Sequence, residues 1–302
     1  MRTATMNMNG ILNVNKPAGM TSFGVVSRLK RLTGEKRIGH TGTLDPIATG
    51  VLPICFGRAT RTVQYLINSD KAYLADIQLG ITTDTFDREG KVVEENDPGG
   101  ITIEQVKAVL GSFQGTIEQT PPQFSAVKYH GTRSCDLARA GINIELKPRR
   151  VKINKIELVK AQFPVITVLI ECSKGTYIRT IANDTGKMLG CGAHIKELTR
   201  TRCGIFSIED ALSLQDVEQI YQQGNLDSHL QPVDSPLQDW QIVILAGEDE
   251  VAVGNGRSIV LDDKYCTTAH YCRAYNSRNE FIAILRYNKD EQLWHPDKVF
   301  SS

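Results

Sequence analysis

A loop rich in glycine, threonine and proline carries the first residues whose types could do chemistry. Residues 39–53 read GHTGTLDPIATGVLP, with three glycines, two prolines and three threonines around His40 and Asp45. We expect a loop, because the stretch is too broken for a helix and too polar for a core strand. Glycines would let a substrate approach the backbone and Pro46 would stiffen it, so Asp45 could act on a bound molecule. Asp45 could equally be the first residue of a type I turn, and a lone histidine is more often structural than catalytic.

Several common kinds of site are excluded by what the chain lacks. The loop matches neither G-x-x-x-x-G-K-[ST] nor G-x-G-x-x-G, which argues against nucleotide hydrolysis and dinucleotide binding. The seven cysteines contain no C-x-x-C pair and no histidine at zinc-ligand spacing, so we interpret them as reduced thiols. We expect no metal site and no cofactor. The cysteines are Cys55, Cys135, Cys172, Cys191, Cys203, Cys266 and Cys272.

Charge is distributed unevenly along the chain. The formal net charge is +1, but residues 1–205 hold 28 Lys and Arg against 18 Asp and Glu, whereas residues 206–250 hold ten acids and no Lys or Arg. Such asymmetry hints at nucleic-acid binding by the basic part, although many soluble domains are modestly basic. The basic side chains that could follow phosphates are Arg28, Lys30, Arg31, Lys36, Arg37, Lys147, Arg149, Arg150 and Lys152.

Regular elements flank the loop on both sides. A strand GILNVN precedes a helix over about 23–33, for which Ser22 is the expected N-cap, Phe23 the first residue of the apolar face and Gly34 the stop. After the loop, KAYLADIQLG alternates and places Tyr73 on the apolar face of a strand.

Further elements follow the loop. We expect a helix after the capping box Thr102/Gln105, strands near 151–160 and 163–172, and a helix over about 177–189 ended by Gly190. Arg179 would lie in the first turn of that last helix, where the dipole disfavours a cation, so a specific partner is expected.

The second half of the chain suggests an insertion, a linker and a small module. Residues 119–150 look like a mobile excursion with a short helix, and a helix is expected from Ser207/Asp210 in SIEDALSLQDVEQI. An acidic linker at 221–240 precedes short strands. We therefore predict domains at 1–240 and 241–302. No apolar run is long enough to span a membrane and no signal peptide is evident, so we expect a cytoplasmic protein.

Five motifs in order carry a family resemblance: NKPAGMTS, GHTGTLDPIATGVLP, KAYLADIQLG…TDTFDREG, QTPPQFSAVKYHG and CSKGTYIRTIANDTG. Together they resemble the TruB family of tRNA pseudouridine synthases over about residues 10–210, and the last module resembles a PUA-type RNA-binding domain. The resemblance implies an α+β pseudouridine synthase fold, with a mixed, mainly antiparallel sheet flanked by helices and loops and a small β-barrel C-terminal domain.

The resemblance also implies an activity and a set of roles. The family converts uridine 55 in the T-loop of tRNA to pseudouridine, without a cofactor or metal, on a flipped-out base. Asp45 matches the catalytic aspartate and Arg179 the arginine beside it. Tyr73 matches the tyrosine that stacks on the base, His40 the residue that fills the space of the departed uridine, and Leu198 an apolar residue of the pocket. Lys16 and Pro17 match positions that shape the neighbouring turn.

Other interpretations stay open. The chain could be chiefly an RNA-binding or tRNA-folding factor with dispensable catalysis, or a guide-RNA-dependent relative that works within a complex. We expect the stand-alone type, a monomer that binds the T-arm of tRNA without a protein partner or membrane. Ser134 and Cys135 stand where the family usually has an apolar pair, which leaves the packing of the insertion open.

Overall fold

One long sheet organises the chain. The computed structural model describes residues 8–142, 144–262, 265 and 270–300. The first fourteen strands of this part are β1 Gly10–Lys16, β2 Ile38–His40, β3 Thr49–Phe56, β4 Lys71–Leu79, β5 Ile81–Thr83, β6 Val92–Glu95, β7 Gly115–Gln119, β8 Lys128–Tyr129, β9 Thr132–Arg133, β10 Arg149–Gln162, β11 Val165–Cys172, β12 Ala193–Cys203, β13 Phe206–Ser207 and β14 Leu212–Ser213.

Ten of these strands form the main sheet, in the order β14-β1-β3-β12-β4-β11-β10-β7, with β2 beside β3 and β13 beside β12. The pairs β1–β14 and β3–β12 are parallel and the other pairs are antiparallel. This arrangement confirms the predicted mixed, mainly antiparallel sheet. The pairs β5–β6 and β8–β9 stand apart as two-stranded ribbons.

Helices pack on the sheet and close its ends. They are α1 Ser22–Thr33, α2 Val63–Leu66, α3 Ile103–Ser112, α4 Ser134–Arg139, α5 Ile178–Leu189, α6 Leu214–Gln222 and α7 Gly247–Gly254, with 3-10 turns at Gly57–Thr62, Leu226–His229 and Ser235–Leu237. The capping box of Thr102 and Gln105 begins α3 as predicted. Among the described residues, no helix is both long and apolar enough to cross a membrane.

Helix α1 begins one residue earlier than predicted. Its N-cap is Thr21, whose hydroxyl accepts from Gly24 N, and Gly34 ends it in the left-handed conformation as expected. Ser22 is buried inside the first turn, so its hydroxyl is free to bind another segment. Phe23, which was expected on the buried face, is 69% exposed because Ser22, Val25 and Val26 face the sheet instead.

Two other boundaries differ from the sequence prediction. The predicted loop 39–53 is irregular only between β2 and β3, because the apolar run that starts at Val51 continues through Phe56 as a buried strand. The helix expected from Ser207 begins at Leu214 instead. Ser213 and Asp216 form the capping box there, whereas Ser207 and Asp210 only hold a turn.

Helix α5 lies closely against β12. A side chain at Gly186 would place its Cβ only 2.1 Å from Ala193 N, so only glycine allows this approach. Gly190 then ends the helix with φ of 77°, as predicted. Close packing on β12 fixes the C-terminal half of α5, the helix that carries Arg179 in its first turn.

The C-terminal part forms a separate small sheet. Its strands are β15 Ile242–Ile244, β16 Tyr271–Tyr275, β17 Phe281–Asn288 and β18 Leu293–Val299, in sequential order. The sequence predicted the first three strands but not α7. The segment before this sheet, predicted as a linker, contacts both sheets: Gln231 exchanges backbone hydrogen bonds with Ile11 of β1, and Asp234 pairs with Arg273 of β16 at 3.0 Å. The domain boundary near 240 and the relation to PUA domains stay predictions.

Among the described residues no disulfide links the cysteines, and all but Cys135 are buried. Cys266 lies outside the described residues.

Candidate active site

A cavity of about 470 Å³ opens where β4 and β12 meet the loop between β2 and β3. Four predicted site residues line it: Asp45, Tyr73, Arg179 and Leu198. These four come from a loop, two strands and a helix, so only the folded sheet brings them together. Lys16, Pro17 and His40 do not line the cavity.

The turn that carries Asp45 is fixed locally. Ala48 N donates to Asp45 O at 3.0 Å, which closes the turn expected from an Asp-Pro pair. The Ser22 hydroxyl donates to Leu44 O at 3.2 Å and accepts from Leu44 N at 2.8 Å. Helix α1 therefore holds the backbone immediately before Asp45.

Asp45 and Arg179 form a two-point ion pair. Arg179 Nε lies 2.8 Å from Asp45 Oδ2, and Nη2 donates to Oδ1 at 3.2 Å. The arginine side chain is 5% exposed and the aspartate side chain 35% exposed, so the carboxylate faces the cavity while the guanidinium lies behind it. The Nη2 hydrogen bond and the close Nε contact together fix the orientation of the carboxylate.

The pKa of Asp45 lies above its ordinary value, because burial disfavours the charged form. Arg179 lowers that pKa, but its effect is smaller than that of burial. The Asp87 charge raises the pKa further and Lys16 lowers it. The carboxylate thus combines a fixed orientation with a raised basicity.

Asp87 is a site residue that the sequence reasoning did not single out. It is buried, and its Oδ2 lies 3.6 Å from Arg179 Nη1. Its Oδ1 accepts from Thr85 Oγ1 at 2.7 Å and from Glu89 N at 3.1 Å. The motif TDTFDREG holds several acids, and only the tertiary contact with Arg179 distinguishes this one.

Two carbonyls complete the surroundings of Arg179. Nη1 donates to Thr85 O at 3.1 Å and Nη2 to Phe124 O at 2.9 Å. The first turn of α5 is an unfavourable place for a cation, and two carboxylates and two carbonyls offset this cost. These groups are the specific partner that the sequence led us to expect.

The insertion at 119–150 reaches the site through Phe124. The buried Ser134 hydroxyl donates to Gln123 O, and Cys135 N donates to Ser125 O at 3.0 Å. Polar Ser134 is accommodated because it hydrogen-bonds to the segment that carries the Phe124 carbonyl. Hydrogen bonds therefore hold the insertion at Ser134 and Cys135, where the family usually has an apolar pair.

Tyr73 is core-facing and cavity-lining at once. It is 9% exposed and stands on β4 between Ile170 of β11 and Arg200 of β12. Burial raises the pKa of its phenol to about 12, against the lowering effect of the Arg200 charge. Leu198, 5% exposed on β12, forms part of the apolar wall.

Lys16 lies beneath the Asp45 loop and is fully buried. Its ammonium donates to Pro17 O at 2.8 Å, Met20 O at 2.6 Å and Pro46 O at 3.3 Å. Burial lowers its pKa to about 8. These contacts join the turn 17–20 to the loop that carries Asp45. The structural roles predicted for Lys16 and Pro17 rest on them.

His40 stands at the end of β2, where its Nδ1 accepts from Gly42 N at 3.3 Å. Burial lowers its pKa, so the neutral ring is favoured. Its predicted role in filling the space of a departed base stays a prediction.

Basic side chains surround the mouth of the cavity. Arg149, Arg150 and Lys174 line it, and the Arg149 guanidinium lies 5.7 Å from the centre of the Tyr177 ring. Arg28, by contrast, pairs with Glu218 at 2.6 Å. Within the described residues, no group of three His, Cys, Asp or Glu side chains is placed to hold a metal ion.

Comparison with known proteins gives the family. Residues 30–178 match the N-terminal domain of TruB family pseudouridylate synthase, and residues 179–238 match the tRNA pseudouridylate synthase B C-terminal domain. A protein of Dehalococcoides mccartyi named tRNA pseudouridine synthase B is 44% identical, over 97% of this chain and 97% of its own. One of the same name from Stutzerimonas stutzeri is 45% identical over 95% and 94%.

A solved structure shares the fold. In a Cbf5-Nop10-Gar1 complex, one chain superposes with a TM-score of 0.73 at 25% identity, covering 97% of this chain and 85% of its own. The ten-stranded sheet and the Asp45–Arg179 pair are consistent with the family that the matched domains and the curated relatives indicate. The chain belongs to the TruB family of pseudouridylate synthases.

Proposed function

We propose that this enzyme isomerises uridine to pseudouridine in tRNA, at position 55 of the T-loop. The observation that carries the proposal is the Asp45 carboxylate, oriented by Arg179 at the edge of a cavity bounded by Tyr73 and Leu198. The relatives named tRNA pseudouridine synthase B support tRNA as the substrate.

The reaction needs groups that this cavity supplies. The N1–C1′ bond breaks, the base turns, and C5 bonds to C1′, so nothing is oxidised and no group is added. Asp45 acts on the sugar or the base, while Tyr73 stacks on the flipped base. Stacking of about 1–3 kcal/mol would offset part of the few kcal/mol that flipping costs.

The tRNA itself binds at the basic mouth. Arg149, Arg150 and Lys174 lie where the phosphates beside a flipped nucleotide would pass. Recognition would depend on the shape of the T-arm, as is usual for structured RNA. We further propose that the enzyme acts as a monomer, without a protein partner, in the cytoplasm where tRNA is found.

Two other functions remain as outcomes of the test. A guide-RNA-dependent role within a complex is one of them, and the superposed chain comes from a complex with Nop10 and Gar1. The relatives at 44–45% identity carry a different name and favour the stand-alone type. A tRNA-folding role with dispensable catalysis requires only the binding surface.

The test measures tritium release from tRNA transcripts labelled at uridine C5. The purified protein should release tritium from the intact transcript, and not from one with cytidine in place of the T-loop uridine. Asp45→Asn should slow release by at least about 10³-fold while tRNA affinity changes by no more than a few-fold.

Each contrary result has a specific meaning. Release from the cytidine transcript would place the reaction elsewhere in tRNA. No release from any transcript, with tight binding, would favour the folding role. A large affinity loss in Asp45→Asn would show that Asp45 is structural.

A further inference from the structure

Arg200 is a fully buried arginine at the centre of the site. It is 1% exposed and stands on β12 directly between Gly50 of β3 and Tyr73 of β4. Neither the spacing of the sequence motifs nor the family resemblance pointed to it, because it lies in a strand that shows only alternating polarity.

Its side chain binds both ends of the segment 42–51, which carries Asp45. Nε donates to Val51 O at 2.7 Å, and Nη2 donates to Gly42 O at 3.2 Å. These two carbonyls lie on opposite sides of Asp45 in the chain. One planar group with fixed donor directions therefore sets the span of the loop that presents the carboxylate.

The backbone of Arg200 makes an equally close contact. A Cβ at Gly50 would lie 2.3 Å from Arg200 O, and Gly50 has φ of 100°. Only glycine therefore lets β3 approach Arg200 at this point.

The same guanidinium acts on Tyr73. Its positive charge lowers the pKa of the Tyr73 phenol, whereas burial raises that pKa by more. The positive charge favours the deprotonated side of any proton movement at this oxygen. Arg200 thus contacts the loop of one site residue and influences the hydroxyl of another.

In the described part of the chain, no carboxylate forms an ion pair with Arg200, unlike Arg179 and Arg202. Its charge instead lowers the pKa of the neighbouring Lys16, Lys71 and His40. A buried cation without a counter-ion costs free energy that an apolar side chain of similar size would avoid. Packing alone does not require a guanidinium here.

We propose that Arg200 is a positioning residue for the isomerisation: its guanidinium fixes the segment that carries Asp45 and places a positive charge beside Tyr73 on the neighbouring strand. The inference rests on the proposed function only in that a uridine is isomerised in the cavity, and does not depend on the position in tRNA.

The experiment compares Arg200→Met and Arg200→Lys, each alone and combined with Tyr73→Phe, by single-turnover tritium release at saturating enzyme. The matched control is Arg202→Met on the same strand, whose guanidinium pairs with Glu171 at 2.6 Å. Circular dichroism and tRNA affinity are measured for every variant.

Arg200→Met should slow release by about 10²-fold, because small misplacements of reacting groups have effects of this size. Affinity for tRNA should stay within a few-fold, Arg200→Lys should recover part of the rate, and Arg202→Met should react like the parent. In the Tyr73→Phe background, Arg200→Met should reduce the rate of release by a clearly smaller factor. The hydroxyl through which Arg200 acts is already absent there.

A parental rate in Arg200→Met would overturn the proposal. Equal losses in both backgrounds would show that Arg200 does not act through Tyr73, and loss of affinity without loss of rate would make it a binding residue. If Arg200→Met does not fold, Arg200→Lys provides the same comparison. No release by the parent protein would instead reject the proposed function.

Discussion

Arg179 organises the site at the scale of single residues. Its guanidinium contacts two carboxylates, Asp45 and Asp87, and two backbone carbonyls, so no rotation about its side chain leaves these contacts intact. The same group lowers the pKa of Asp45 while the Asp87 charge raises it. Orientation and basicity of the Asp45 carboxylate are therefore set by one cluster.

The raised pKa of Asp45 predicts an acid limit to activity. If the ionised form reacts, the rate falls as pH decreases through that pKa, above the ordinary aspartate value of 3.8. Asp87→Asn removes a charge that raises the pKa of Asp45, so the midpoint of this limb should move to lower pH. Single-turnover rates measured across pH, with circular dichroism as a control for unfolding, give the midpoint. An unchanged or higher midpoint would contradict the assigned effect of Asp87.

Tyr73→Phe separates the ring from the hydroxyl. The ring stays in place and should keep stacking on the base, so tRNA affinity should change little. Turnover should fall, because the oxygen on which Arg200 acts is gone. Tritium release and filter binding measure the two quantities. Undiminished turnover would exclude an essential proton role for this hydroxyl.

At the scale of elements, the segment that carries Asp45 is held from three sides. Ser22 of α1 binds Leu44, Lys16 at the end of β1 binds Pro46, and β12 packs directly on Gly50. None of these contacts involves the Asp45 carboxylate. Ordinary secondary structure therefore fixes a segment that has little regular structure of its own.

Lys16→Met should lower the free energy of unfolding by about 1–3 kcal/mol, because partly buried carbonyls lose their donor. The carbonyls of Pro17 and Met20 are those affected most, since Pro46 O also accepts from Gly19 N. Urea denaturation measures the change. The control, Lys36→Met, alters an exposed lysine and should change stability by less than about 0.5 kcal/mol. Equal stability of the two variants would show that the ammonium contributes no net stabilisation.

At the scale of the whole molecule, the acidic segment 206–250 and the basic remainder are complementary. Glu218 pairs with Arg28 of α1, and buried Asp234 pairs with Arg273 of the C-terminal sheet. Asp216 instead caps α6. Part of the acidic stretch thus neutralises one cation of α1 and one of the C-terminal sheet.

Affinity for tRNA should fall with salt, because bound phosphates release counterions. Replacing both Arg149 and Arg150 by Gln should reduce the slope of log affinity against log salt by about 1 to 2. Arg28→Gln should change the slope less, since Arg28 pairs closely with Glu218 at 2.6 Å, whereas exposed Arg150 lies 3.7 Å from Glu118. Titrations at several salt concentrations test this, and equal slopes for both variants would mean that the mouth does not bind phosphates.

Local sequence predicted the elements well where the signal was local. The alternation at 71–79, the capping box at Thr102 and the stop at Gly190 all appear in the structure. The errors lay at helix starts, where Thr21 rather than Ser22 caps α1 and Ser213 rather than Ser207 caps α6. The Ser22 hydroxyl instead binds the backbone of Leu44, a contact between distant segments.

The sequence by itself determined the family, the aspartate on its turn, and the strand and helix that carry Tyr73 and Arg179, because short motifs and periodicity encode these features locally. Tertiary structure alone decided that Asp87 joins the arginine, that Arg200 spans the loop, and that burial raises the pKa of Asp45. Contacts between distant segments and the removal of water depend on how the strands are ordered in the sheet, which no local pattern records.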